Sequence, residues 1–196
     1  MKIFREVVIT VAIALAVFFA LRLTVQAYTV DMTSMVPTFY PGDTIMVSKL
    51  AYHSSGPHRG DVIVFHPPSG AMDQSGRPFI KRVIGLPGDI VEVKDGEVSI
   101  NGTPLNEPYI AAPPEYVMPA TSVPQDEYFV MGDNRNNSND SHNGWLVPRA
   151  NIVGKAWFQY WPPSKLGPVR HYTYPELAQV SEQALMVGGP VEAQFG

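Results

Sequence analysis

The chain of 196 residues contains no cysteine. That excludes a disulfide framework, a thiolate nucleophile and any cysteine-ligated metal centre. Charge is scarce as well: Asp, Glu, Lys and Arg make up 16 % of the residues, and the formal net charge is -4. Such mild acidity gives no reason to expect nucleic acid as a partner. What it has is apolar content, at 45 %, enough to exclude a disordered chain and to build one domain around its own core. The 19 prolines and 16 glycines are spread along its length, which suits many short strands joined by turns rather than long helices.

The N-terminus is the exception. Residues 7–21 carry no charge, Lys2 and Arg5 stand before them, and Arg22 follows. Continued to Tyr28, the stretch would make roughly 33 Å of helix, enough to span hydrocarbon. Arg22 would lie close enough to the far end to snorkel to the headgroups. The sequence therefore predicts a single-pass anchor in the cell membrane, with the N-terminus cytoplasmic and everything after residue 28 on the outer face. The alternative is a removable export signal, because Val25-Gln26-Ala27 has the small-residue pattern of a cleavage site.

Beyond the anchor, short apolar runs alternate with turns. Strands are expected over residues 44–47, 61–65, 79–85, 90–93, 97–100, 128–131 and 152–158, with Asp95-Gly96 and Asn101-Gly102 as hairpin turns. There is no strand–helix–strand rhythm, so the prediction is an all-β fold, a compact antiparallel domain of barrel or sandwich type. The proline-rich stretch 109–125 reads as an irregular surface loop. Residues 175–187 read as a short amphipathic helix stopped by Gly188-Gly189. The expected division is a cytoplasmic tip and anchor over 1–28, a β domain over 29–163, and a C-terminal tail over 164–196 with no assigned role.

Three segments carry candidate chemistry. Ser34 lies in Ser34-Met35-Val36-Pro37-Thr38, six positions after Tyr28. A serine in a turn is most often only a turn residue. Lys81 interrupts the apolar run Phe79-Ile80-Lys81-Arg82-Val83-Ile84-Gly85. In a strand, Phe79, Lys81 and Val83 share one face, and apolar neighbours would strip water from the amine. At pH 7.5 an ordinary lysine is neutral roughly one time in 800. A depression of about 3 units would leave it mostly neutral and able to take a serine proton. A snorkelling lysine at a strand edge is the plainer alternative. The third segment, residues 131–145, is crowded with polar side chains. It fails as a calcium loop, because Arg135 and Gly144 occupy positions that need oxygen ligands. A triad using His142 and Asp140 is conceivable, but two residues apart on a loop does not by itself set a carboxylate on an imidazole.

In order and spacing these segments resemble the bacterial type I signal peptidases, the Ser-Lys leader peptidase family. Its S-M-x-P-T box is similar to residues 34–38, followed by Gly42-Asp43. Its G-D-[IV]-[IV]-x-F segment matches Gly60-Asp61-Val62-Ile63-Val64-Phe65. Its K-R-[VI]-[IV]-G-L-P-G-D box matches residues 81–89, and its G-D-N-R-x-N-S-x-D-S-R box matches residues 132–141. The resemblance covers roughly residues 5–160.

The resemblance implies a barrel-like catalytic β domain of the signal peptidase type resting on the membrane surface. It implies Ser34 as nucleophile, Lys81 as general base, Ser138 orienting the lysine amine, and Asp140 bracing the loop beneath. The backbone N–H of Ser34 would be the main oxyanion donor. Many members carry a hydroxyl or glycine where this chain has Met32, which removes a side-chain donor. The family arginine after D-S is His142 here, so the salt bridge to the aspartate would be weaker or pH-dependent. No cofactor or metal is implied. The implied partners are secretory preproteins with small residues one and three positions before the cut, bound as an added β-strand, and membrane lipid. Apolar Met35, Val36, Phe39 and Tyr40 are candidates to line the groove or touch lipid. Two other readings remain. A self-cleaving Ser-Lys protein of the SOS-repressor type would carry a helix-turn-helix where this chain has its apolar segment. An inactive membrane-bound binding protein is the second, kept open by Met32.

Overall fold

The computed structural model describes residues 2–71 and 76–178. One helix, α1 (Lys2–Thr24), precedes twelve strands. These are β1 (Val25–Thr29), β2 (Thr44–Ser48), β3 (Val62–Phe65), β4 (Phe79–Gly85), β5 (Ile90–Lys94), β6 (Glu97–Ile100), β7 (Thr103–Pro104), β8 (Met118–Ser122), β9 (Glu127–Met131), β10 (Val147–Pro148), β11 (Ile152–Trp161) and β12 (Gly167–Pro168).

All the pairings are antiparallel and fall into two sheets. The larger follows the order β1-β2-β11-β3-β4-β9-β10, with β12 on β11, and the smaller follows β7-β6-β5-β8. The larger sheet is a curled half-barrel, not a closed one, because β1 and β10 end its path unpaired with each other. Bulges curl it: the β11 register shifts against both β2 and β3, and that of β4 shifts against β9. The hairpin signals work as read. Asp95 and Gly96 have φ of 53° and 80°, and Asn101 and Gly102 have 52° and 82°, the paired left-handed residues that a type I′ turn requires. β5 alternates exposed and buried positions along Ile90–Lys94, as a strand with one covered face must.

Central β4 is covered on both sides, which is why its residues on either side of Lys81 and Arg82 are apolar. Phe79 and Val83 join one core with Ile63, Phe65 and Trp145. Ile80 packs on a second core, and Ile84 lies in a third that bridges to the smaller sheet.

Two expectations need correction, and a third is met as far as it is described. The predicted span does not run to Tyr28. The helix stops at Thr24, and residues 25–29 leave it to pair with β2 from Val25↔Ser48 to Thr29↔Thr44. Among the described residues no helix is long and apolar enough to cross a membrane. α1 nevertheless exposes its apolar side chains, including Val7, Val11, Leu15, Phe18 and Phe19. The proline-rich stretch 109–125 is not wholly irregular: residues 118–122 form β8, because β5 offers a free edge that binds Ser122, Thr121 and Met118. Finally, residues 175–178 are helical, and the rest of the helix expected over 175–187 lies outside the described residues.

Candidate active site

Ser34 sits on the turn between β1 and β2. The turn is closed by Val36 N–H to Thr33 C=O (3.1 Å) and Phe39 N–H to Met35 C=O (2.8 Å). Met35 and Phe39 are not groove residues. Both are buried in a core beneath the turn and pin it in place, while Tyr40 stays exposed. The other side of Ser34 rests on the loop after β9. Asn134 N–H donates to the Ser34 carbonyl (3.0 Å), Asn134 Nδ2 to the Thr33 carbonyl (3.2 Å), and Asn137 Nδ2 to Thr33 Oγ1 (3.1 Å). Gly132 makes this contact possible. A Cβ there would lie 2.4 Å from both the Ser34 carbonyl oxygen and Ser138 Oγ.

Lys81 reaches the same place from the middle of β4, where it pairs with Ile63 across β3. Its Nζ is 2.7 Å from Ser34 Oγ and donates to the Ile80 carbonyl at 2.9 Å. The amine stands 5.4 Å from the centre of the Phe79 ring, its neighbour on the same strand face. Burial lowers the Lys81 pKa from 10.5 to about 8, against the opposing pull of Asp140 and then Asp133. A protonated amine donates to Ser34 Oγ, whereas a neutral one accepts the hydroxyl proton. About half of the molecules are neutral at pH 8.

Ser138 lines the same cavity but does not make the expected bond to Lys81. Its Oγ is buried and without a hydrogen-bond partner, because the amine is already directed at Ser34 Oγ and the Ile80 carbonyl. Asp140 is fully buried beneath the loop. Its Oδ2 accepts from Gly132 N–H (2.8 Å), and its Oδ1 from His142 N–H (3.2 Å). Extended backbone at Asp140 caps the short 3-10 helix Ser141–Asn143, which turns the carboxylate toward residue 142. An Asp140–His142 pair therefore does form, with Nδ1 to Oδ1 at 2.7 Å, contrary to the argument from sequence separation. His142 also stacks on Tyr116, ring centroids 4.4 Å apart. The imidazole pairs with Asp140 while the amine of Lys81 contacts Ser34.

The cavity has a volume of about 450 Å³, and its lining includes Met32, Ser34, Ile80, Lys81, Ser138 and His142. Met32 is 58 % exposed at its rim. Among the described residues no group of three or more His, Asp or Glu could hold a metal ion.

Sequence reasoning passed over the layer behind Ser34 and Lys81. Arg82 and Asp133 form a buried ion pair there (2.7 Å), and Thr38 Oγ1 donates to Asp133. The only hint was an arginine inside an apolar strand, one residue after Lys81.

A curled antiparallel sheet that brings a buried lysine amine onto a turn serine has the geometry a serine hydrolase can use. The description "Signal peptidase, peptidase S26" matches residues 3–161, so the chain belongs to that family and is a serine endopeptidase. It is 50 % identical over 144 residues to the probable signal peptidase I-1 of Synechocystis, covering 72 % of this chain and 74 % of that one. It is 36 % identical over 172 residues to signal peptidase I U of Bacillus subtilis, covering 82 % and 89 %. A crystal structure of a signal peptidase I from Enterococcus faecalis aligns at 34 % identity and a TM-score of 0.42, covering 52 % of this chain and 97 % of that one.

Proposed function

We propose that this protein removes N-terminal signal peptides from exported preproteins, using Ser34 and Lys81 as a catalytic dyad. The observation that carries this reading is the 2.7 Å contact between a buried, depressed-pKa amine and a serine hydroxyl. Ser34 Oγ attacks the scissile carbonyl carbon as neutral Lys81 Nζ accepts its proton. The oxyanion is held by the Ser34 backbone N–H. The ammonium returns its proton to the departing amine, leaving an acyl-enzyme that water attacks with Lys81 again as base. Ser138 orients the amine during the reaction: its Oγ, unpartnered in the same cavity, is free to accept from the ammonium once Ser34 Oγ has turned to the substrate carbonyl. Asp140 braces the loop through Gly132 and His142.

The substrate lies as an extended strand between the cavity walls contributed by residues 29–32 and 77–80. Small residues at the first and third positions before the cut suit shallow pockets there. α1 anchors the domain to the cell membrane, with the β domain on the outer face. Support comes from apolar side chains along α1 that are exposed among the described residues, since large exposed apolar surface marks a contact with lipid or protein. The division expected at residues 28 and 29 shifts with it: the catalytic β domain begins with β1 at Val25, since residues 25–28 already pair with β2. A preprotein incubated with detergent-solubilised enzyme should be cut at its signal junction, and Ser34→Ala should leave it whole. Equal cleavage by the Ser34→Ala protein would end this reading.

A further inference from the structure

Beyond the residues matched by the family description, the chain turns back across the domain. Gly167–Pro168 adds β12 to β11, and Val169 N–H donates to the Trp157 carbonyl (3.0 Å). From there residues 170–177 cross the face of β4 opposite Lys81. Val62 N–H donates to His171 Nδ1 (3.4 Å), and the Tyr174 and Tyr109 hydroxyls share a hydrogen bond (2.6 Å). Glu176 accepts from Asn106 N–H (2.8 Å), and Leu177 packs on a core. What this segment covers is Arg82.

Arg82 is fully buried. Nε and Nη2 donate to the two oxygens of Asp133 (2.9 and 2.7 Å), and Nη1 donates to the carbonyls of Gly60 (2.9 Å) and Arg170 (3.3 Å). The guanidinium carbon stands 4.3 Å from the Tyr109 ring centre and 5.1 Å from that of Tyr172. The two rings lie 4.5 Å apart. One carbonyl and one aromatic face of the Arg82 cage thus come from the C-terminal segment. The fit is close at Gly60: with φ of +86°, a Cβ there would lie 1.9 Å from the Tyr172 carbonyl oxygen.

Asp133 connects the cage to the nucleophile. It accepts from Thr38 Oγ1, four residues after Ser34, and the next residue, Asn134, donates its N–H to the Ser34 carbonyl. We propose that residues 167–177 are a strap required for catalysis, with Tyr172 a positioning residue that holds Arg82 on Asp133 and so fixes the Ser34 turn. The inference rests on the Ser34–Lys81 reading. Tyr172 touches neither Ser34 nor Lys81 and acts only through Arg82 and Asp133. Its ring face supplies the attraction for the cation, and loss of that face lets the guanidinium and Asp133 relax.

The test compares full-length Tyr172→Ala, Tyr172→Leu and Tyr172→Phe with the wild type and Ser34→Ala, on a preprotein, with melting curves in parallel. Tyr172→Phe keeps the ring and should keep wild-type kcat. Tyr172→Ala and Tyr172→Leu should lose kcat roughly 10- to 100-fold with KM little changed, as small displacements of a nucleophile do, while still melting cooperatively above the assay temperature. Should Tyr172→Ala fail to fold, Tyr172→Leu decides. Unchanged kcat in a folded alanine or leucine variant overturns the strap, as does a loss explained wholly by the unfolded fraction. A wild type that cleaves while Ser34→Ala does not keeps the dyad whatever Tyr172 does. A wild type that cleaves nothing removes both.

Discussion

Arg82 and Asp133 meet through two parallel hydrogen bonds, and neither side chain is exposed to solvent. Arg82 is the residue after Lys81, on the opposite face of β4, so one strand sets both the proposed base and the ion pair behind it. Removing one partner of a buried pair leaves the other charge uncompensated, at a cost of about 3–5 kcal/mol. Asp133→Asn should therefore lower stability by that order in chemical denaturation. It should also reduce kcat in the folded fraction, because Thr38 loses its carboxylate acceptor and the neighbouring Asn134, whose N–H holds the Ser34 carbonyl, loses its fixed position.

The rate should follow the neutral fraction of Lys81. With a pKa of about 8, kcat/KM should rise roughly tenfold from pH 7 to its plateau. Lys81→Arg should be as inactive as Lys81→Ala, since a guanidinium does not give up its proton in the working range. A profile still climbing near pH 10 would remove Lys81 as the desolvated base.

Stability should carry the same signature. Between pH 8 and 10.5 the unfolded chain holds a proton on Lys81 that the folded protein has released. Stability therefore rises with pH across that window. The penalty is fully present below pH 8 and gone above 10.5. Denaturant midpoints of wild type minus Lys81→Met, measured at pH 7, 8, 9 and 10, should show this rise, and a flat difference would contradict it.

His142 is bonded to Asp140, and with Lys81 as the proposed base His142→Asn should lose only part of kcat and keep the Lys81 pH profile. Abolished chemistry in a folded His142→Asn protein that still binds substrate would restore a histidine mechanism.

The N-terminus should remain attached. Val25-Gln26-Ala27 has the composition of a cleavage site, but these residues are β1, with Ala27 paired to Met46. A cut after Ala27 would sever the edge strand that leads to Ser34. Mass spectrometry of the purified protein should find residue 1 or 2 first, and alkaline carbonate should leave the protein on the membrane. Complete loss of residues 1–27 in the Ser34→Ala protein would mean cleavage by another peptidase and a misread anchor.

Composition, turn pairs and order of motifs were enough for the antiparallel β class, the two hairpins at Asp95-Gly96 and Asn101-Gly102, and the candidates Ser34 and Lys81. These are local properties: period-2 burial, left-handed turn residues, and a cation among apolar neighbours in one strand. Tertiary contacts decided the rest. β1 replaced the end of the predicted span because β2 presented an edge to it, and β8 formed for the same reason on β5. The carboxylate of Asp140 swung onto His142 through a cap that sequence separation cannot express. Ser34 and Lys81 lie 47 positions apart, and only the crossing of β4 beneath the β1–β2 turn brings them within hydrogen-bond reach. The cage around Arg82 draws on residues 60, 109, 133, 170 and 172. A buried cation is satisfied by whatever the fold delivers to it, and no local pattern announces that.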